Sequence, residues 1–179
     1  CKAKRKLVLS DAVFSMDGDL AHVPQLLELC ERFDAWLLLD DAHGFGVLGS
    51  HGRGVLEHFR LNSSRIIYMA TLGKAAGVSG AFVAGDPVLV EYLLQQARTY
   101  TYTTAMPPPL AGALLASLRL IEQEMWRRDQ LVCLCSLLRE TLQLSRWRLM
   151  AADTAIQPVI VGSNTMAVAA SKHLLEHGI

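Results

Sequence analysis

"AWLLLDDAHG", residues 35–44, decides how this chain is read. Ala35, Trp36, Leu37, Leu38 and Leu39 form an unbroken apolar run that ends in Asp40 and Asp41, with His43 and Gly44 just beyond. A short apolar run closed by acids is the pattern of a parallel strand covered on both faces, with polar chemistry at its carboxyl end. In open α/β sheets, ligands bind outside the carboxyl ends of the strands. The pattern predicts that Asp40, as the last strand residue, is the more buried acid, and a buried carboxylate needs a partner.

The flanking segments continue the alternation. "KLVLSDAVFS" (6–15) reads as a buried strand that ends in the turn-rich "MDGD". "VPQLLELCERF" (23–33) reads as an amphipathic helix with Leu26, Leu27, Cys30 and Phe33 on one face. The glycine-rich loop "HGFGVLGSHGRG" (43–54) follows, then the strands "RIIYMAT" (65–71) and "GAFVAG" (80–85). "DPVLVEYLLQQARTY" (86–100) carries a helix start, with Asp86 as N-cap and Pro87 at N1. "YTTAMPPP" (102–109) is a stiff extended turn, helical patterns run from about 110 to 144, "IQPVIVGS" (156–163) reads as a strand and "NTMAVAASKHLLEH" (164–177) as a helix. The order β-α-β-loop-β-β-α-α-β-α predicts an α/β fold with a mostly parallel sheet flanked by helices.

Composition narrows the function classes. The 179 residues are 51% hydrophobic with formal net charge +0, enough for one domain with a sizeable core. That balance predicts neither nucleic acid nor an anionic membrane as partner, and the short basic run from Lys2 to Lys6 is expected to be a solvated approach to the first strand. No apolar run reaches the length of a bilayer span, and "CKAKRK" does not begin a signal peptide. Cys1, Cys30, Cys133 and Cys135 show no metal-ligand spacing and read as thiols of a reducing cytosol. The chain starts with Cys and stops at "HLLEHGI", where Gly178 looks like a helix C-cap, so it is expected to be part of a longer protein.

One cation stands apart. Lys74, in "TLGKAAGVSG" (71–80), is the only lysine between Leu7 and Ser171; the others are Lys2, Lys4, Lys6 and Lys172. Its small neighbours Gly73, Ala75, Ala76 and Gly77 let another group approach closely. A partly desolvated amine there would have a lowered pKa and suit Schiff-base formation with a carbonyl. Taken singly, the residues have plain structural readings: Lys74 as a surface lysine in a turn, Asp40 as a loop cap, His43 as a satisfied core histidine. A metal site built from Asp40, Asp41 and His43 is a further reading, though it lacks a third clearly spaced ligand set. Taken together, a Schiff-base lysine and an acid at the end of a neighbouring strand point to pyridoxal 5'-phosphate (PLP), which needs an amine for its aldehyde and a carboxylate for its pyridine nitrogen. Hydroxyls such as Thr71 can help hold its phosphate.

Four stretches in order, "FSMDGD" (14–19), "DDAHGFGVLGSHGRG" (40–54), "TLGKAAGVSGAF" (71–82) and "YTTAMPP" (102–108), resemble the α-oxoamine synthase family of PLP enzymes, which have aminotransferase fold type I. The resemblance runs from about residue 7 to the end and covers the middle of a family chain. It implies that Lys74 bonds the cofactor and later moves a Cα proton. Asp40 would pair with the pyridine nitrogen, and His43 would hydrogen-bond the ring hydroxyl with Ser15 close by. Thr71 would contact the phosphate, and Thr103 or Thr104 would reach the phosphate of a neighbouring subunit in a homodimer. Asp41 is not expected to touch cofactor, and Arg53 is expected to anchor the glycine loop.

"GVSGAFVAG" (77–85) and "IQPVIVGSN" (156–164) resemble the branch that joins L-alanine to a pimeloyl thioester, carried as pimeloyl-CoA or on a carrier protein. A sibling that uses glycine and acetyl-CoA shares "FSMDGD" and "GRG". By the same resemblance, residues 1–150 belong to the PLP-binding large domain and 151–179 open the small C-terminal domain. The N-terminal phosphate loop, the residue that stacks on the ring and the arginine for the substrate carboxylate fall outside the chain, so the isolated piece is expected to be inactive. A non-catalytic scaffold and a metal hydrolase are the readings from other classes.

Overall fold

A computed structural model describes residues 3–179; Cys1 and Lys2, named above, lie outside the described residues. The main sheet has four strands in the order β1 (Leu7–Asp11), β2 (Trp36–Asp40), β3 (Ile66–Thr71) and β4 (Ala81–Ala84). The first three run parallel, and β4 returns antiparallel to β3. Helix α1 (Val23–Arg32) is the crossover from β1 to β2, burying Val23, Leu27 and Cys30. Leu26 is only half-buried and Phe33, past the last helical turn, is exposed. The short helix α2 (Val55–Phe59) closes the glycine loop ahead of β3.

The core lies where these pieces meet. Leu37, Leu39, Val23, Val55, Ala12 and Ala70 are fully buried and pack with Ile66 and Tyr68. β2 alternates, with Leu37 and Leu39 buried and Trp36, Leu38 and Asp40 half-buried, so only one face is sealed within this chain. β3 is the best-covered strand, as its Ile-Ile-Tyr-Met composition requires. β1 departs from expectation. It spans five residues rather than ten and is not buried, with Leu7 50% and Leu9 65% exposed. Leu7 and Leu9 share one face of the strand, and nothing among the described residues is packed over that face closely enough to bury them.

After β4 the chain is helical: α3 (Pro87–Gln96), α4 (Arg98–Thr101), α5 (Pro108–Gln123) and α6 (Trp126–Thr141). Asp86 caps α3 as expected, its Oδ1 accepting from the Val88 N–H at 2.9 Å. The helix breaks at Ala97, which is extended at ψ 101°, so the pattern read over 86–100 is two helices rather than one. The pattern from 110 to 144 likewise divides, at Glu124 and Met125. The strand expected over 156–163 is reduced to β6 (Val159–Ile160), paired antiparallel with β5 (Arg148–Leu149), because Gln157-Pro158 and Gly162 limit the ladder on either side. Helix α7 (Asn164–Glu176) follows, capped by Ser163, whose Oγ accepts from Met166 N–H at 3.3 Å.

Helices α3, α5, α6 and α7 bury no residue completely. The accessible surface is 12641 Å², against about 8,600 Å² for a folded monomer of this mass. Leu134, Leu137 and Leu138 on α6 and Val168, Leu174 and Leu175 on α7 account for part of the open apolar area. No helix among the described residues is long and apolar enough to cross a membrane.

Candidate active site

The parallel strands β1 and β2 both end in aspartate, and Asp11 and Asp40 are register partners. Asp40 is half-buried; its Oδ1 accepts from the Ala42 N–H at 3.0 Å, which leaves Oδ2 without a partner among the described residues. The chain then turns, and His43 comes back over the strand ends. Burial first, and the positive charge of Lys74 second, push the His43 imidazole below its ordinary range, while Asp40 and Asp11 pull it the other way. His43 therefore marks the point where the end of β2 and the loop after β3 meet.

Lys74 sits on that second loop. Thr71 ends β3, and the loop is closed by Val78 N–H to Leu72 O at 2.8 Å, Leu72 N–H to Gly80 O at 2.9 Å and Gly77 N–H to Lys74 O at 3.0 Å. Ser117 of α5 donates its hydroxyl to Ala76 O at 2.7 Å and pins the loop from outside. The small residues around Lys74 have a packing reason: a Cβ on Gly46 of the glycine loop would lie 2.6 Å from the Ala75 Cβ. At the tip, the Lys74 ammonium donates to the Thr71 hydroxyl at 3.2 Å and makes no ion pair with a carboxylate among the described residues. Lys74 is exposed, so the desolvation expected of it is not provided by this chain's own walls.

The two acids exchange their expected environments. Asp41, not Asp40, is the buried one, with no exposed surface. Asp40 is the last residue of an alternating strand and falls on its half-covered face, whereas Asp41 turns inward beneath the glycine loop. Its Oδ2 accepts from the Val55 N–H at 2.6 Å and the Tyr68 hydroxyl at 2.7 Å. Burial pushes the Asp41 carboxyl up to about 6 despite those donors, and the Asp40 charge adds to the rise. Burial beside Asp41 also pushes the Tyr68 phenol far up, so it remains a donor.

Glu57 of α2 clamps the exposed side of the loop. It accepts from the Ser50 hydroxyl, the His51 N–H and ring, and the Arg53 N–H. Burial works to raise its carboxyl, but these donors prevail and hold it down at about 2. Arg53, expected as the anchor, contributes its backbone N–H, while its guanidinium lies out at 3.5 Å from Glu122. Arg128 of α6 adds a bond to Ser50 O at 2.7 Å.

Asp40, His43, Thr71 and Lys74 thus share one end of the sheet. Ser15 lies exposed in the turn after β1 and makes no side-chain hydrogen bond among the described residues. Thr103 and Thr104 are exposed in the turn between α4 and α5; the Thr103 hydroxyl donates to Thr99 O, and neither residue bonds the Lys74 cluster. Sequence reasoning missed Asp11, although "LSD" and "LLLD" both end strands in aspartate, and it missed Glu57, Ser117 and Arg128, which carry no sequence signal of contact with the loops. Among the described residues, no group of three or more His, Cys, Asp and Glu side chains is arranged to hold a metal.

The donor set fits PLP: among the described residues, an amine without an acidic partner, a carboxylate oxygen without a donor at the same sheet end, an imidazole that feels both charges and a hydroxyl three residues before the amine. The mostly parallel sheet flanked by helices is that of fold type I PLP-dependent enzymes. The chain belongs to the family described as aminotransferase class I and II, whose model matches residues 1–179. It is 66% identical over 178 residues to 8-amino-7-oxononanoate synthase of Methylobacillus flagellatus, a match that takes in 99% of this chain and 45% of the relative. The enzyme of the same name from Nitrosospira multiformis is 60% identical, with 99% and 45% covered. The chain thus spans about 45% of the length of these relatives.

Among solved structures, serine palmitoyltransferase of S. paucimobilis, with a bound PLP–myriocin aldimine, superposes with a TM-score of 0.91 at 28% identity, covering 99% of this chain and 47% of that one. The 8-amino-7-oxononanoate synthase of Francisella tularensis gives 0.82 at 31% identity, with 98% and 52% covered.

Proposed function

We propose that this chain is the central part of a PLP-dependent C-acyltransferase that condenses L-alanine with a pimeloyl thioester, from coenzyme A or a carrier protein, to give 8-amino-7-oxononanoate for biotin biosynthesis. The observation that carries the reading is that the Lys74 amine, which has no carboxylate partner among the described residues, shares a sheet end with Asp40, and that His43 feels the charges of both. The 66% identity to an 8-amino-7-oxononanoate synthase over nearly the whole chain supports this reaction over its siblings.

PLP bound here supplies an aldehyde for the amine and a ring that delocalises negative charge from the amino-acid Cα. The chain's own residues supply the rest. Lys74 would hold the cofactor and move a substrate Cα proton. Asp40 would pair with the ring nitrogen and keep a proton there. His43, whose cation burial and the Lys74 charge disfavour, would hydrogen-bond the ring hydroxyl, and Ser15 would add a hydroxyl. Thr71 takes a phosphate oxygen. Thr103 or Thr104 would serve the phosphate of the second subunit in a homodimer, a role supported by their exposure. The open apolar faces of α6 and α7 fit a chain covered by further parts of the protein and by a partner copy. Residues 1–150 form part of the large domain and 151–179 begin the small one. The reaction belongs in the cytoplasm, where its thioester donors are made.

Assay of the full-length protein with alanine or glycine against pimeloyl and acetyl thioesters tests this directly. Alanine with pimeloyl thioester should release free thiol and carbon dioxide in equal amounts, with a product of the mass of 8-amino-7-oxononanoate. Faster turnover of glycine with acetyl-CoA would instead assign the sibling reaction, and no turnover with any pair would favour the scaffold.

A further inference from the structure

The buried carboxylate of Asp41 takes no part in the chemistry just proposed, yet it is among the most confined polar groups of the chain. Oδ2 holds two donors, from Val55 and Tyr68, while Oδ1 is buried with no partner. The nearby Gly44 N–H is committed to Asp41's own carbonyl at 3.1 Å. No space remains around the carboxylate: a Cβ on Gly44 would stand 2.1 Å from Oδ1, and one on Gly54 2.0 Å from Oδ2.

These contacts have a direction. Asp41 stands between Asp40 and His43 in the chain, and its backbone is held on both sides, by Asp41 N–H to Met69 O at 2.8 Å and Phe45 N–H to Asp41 O at 2.9 Å. Through Gly54 and Val55 it fixes the far end of the glycine loop, and through Gly46 that loop touches Ala75, the neighbour of Lys74. Rotation of the Asp41 side chain would therefore shift Asp40, His43 and the Lys74 loop together. A buried charge with one oxygen unpaired is a poor means of holding a fold, since an apolar side chain of similar volume does so at lower cost. What it offers in exchange is directional: two fixed hydrogen bonds that hold the loop in one arrangement.

We propose that Asp41 is the positioning residue of the site: by gripping Tyr68 and the Val55 N–H it sets the turn that aims Asp40 and His43 toward Lys74. The inference rests on the reading of Asp40, His43 and Lys74 as the PLP site.

Tyr68→Phe in the full-length holoenzyme is the sharpest test, because it removes one donor from Asp41 and leaves every proposed cofactor contact in place. Asp41→Asn is the companion variant. Both should still carry PLP on Lys74 after borohydride reduction and peptide mapping. In both, the pH midpoint of the visible band of the bound cofactor should move by about half a unit or more, and kcat should fall about fivefold or more with KM for the amino acid changed less than twofold. Tyr68→Phe that melts lower but keeps the wild-type band midpoint and kcat would show that Asp41 only supports the fold, and would overturn the proposal. Wild-type protein that takes up no PLP on Lys74 would overturn the parent reading instead, so the two failures are distinct.

Discussion

The Lys74 ammonium donates to the Thr71 hydroxyl at 3.2 Å, three residues back along the chain. This bond ties the end of β3 to the one amine on the loop beyond it. On the proposed reading, the same hydroxyl would contact the cofactor phosphate. Thr71→Val keeps the shape and removes the hydroxyl, so PLP affinity of the full-length protein should fall about 10- to 150-fold, the worth of roughly 1.5–3 kcal/mol for a hydrogen bond to a charged group. Thr71→Ser should stay within about threefold of wild type. Absorbance titration with PLP reads both, and equal affinity for the Val variant would remove Thr71 from the site.

His43 reports on Lys74. Burial and the Lys74 charge hold the imidazole below its usual range. Lys74→Ala deletes the second influence and leaves the first, so the His43 midpoint should rise. Titration of the His43 ring resonances in apo protein by NMR checks the direction. An unchanged midpoint would mean that the amine and the imidazole are not neighbours.

Gly54 is the tightest point of the glycine loop. Its φ is +79°, and an added Cβ would meet the Asp41 Oδ2 at 2.0 Å and the Tyr68 hydroxyl at 2.4 Å. Gly54→Ala combines backbone strain with loss of a buried carboxylate's donors, mechanisms that each cost about 1–3 kcal/mol. The urea midpoint should fall accordingly. A variant as stable as wild type would contradict the packing described for Asp41.

Two carboxylates give opposite pH signatures. Asp41 is raised from 3.8 to about 6 on folding, so the folded state binds more protons between those values and stability falls as pH rises through that window. The full effect above it is about 3 kcal/mol. Glu57 is lowered from 4.5 to about 2, so its contribution is complete above 4.5 and is lost as pH falls toward 2. Urea unfolding at a series of pH values should show the first slope vanish in Asp41→Asn and the second in Glu57→Gln. Persistence of either slope in its own variant would assign it to another group.

Much of this was legible in the sequence, for local reasons. Apolar runs closed by Asp40 and Thr71 located the sheet end, and the caps Asp86 and Ser163 lie where side-chain chemistry required. The isolation of Lys74 in composition pointed to its loop. What failed was nonlocal. Which of two adjacent acids turns inward depends on Val55 and Tyr68, 14 and 27 residues away, and no spacing rule reaches them. The burial of β1 was overread because an apolar pattern does not reveal whether another element packs over it. The break at Ala97 was missed because a continuous helical pattern does not mark a backbone kink at an alanine.

The central claim is that Lys74 bears the cofactor. Full-length protein should be loaded with PLP, reduced with borohydride, digested and mapped by mass spectrometry. The account predicts a single phosphopyridoxyl modification on Lys74, abolished in Lys74→Ala. Stoichiometric labelling of another lysine, or undiminished labelling of the Lys74→Ala variant, would contradict it.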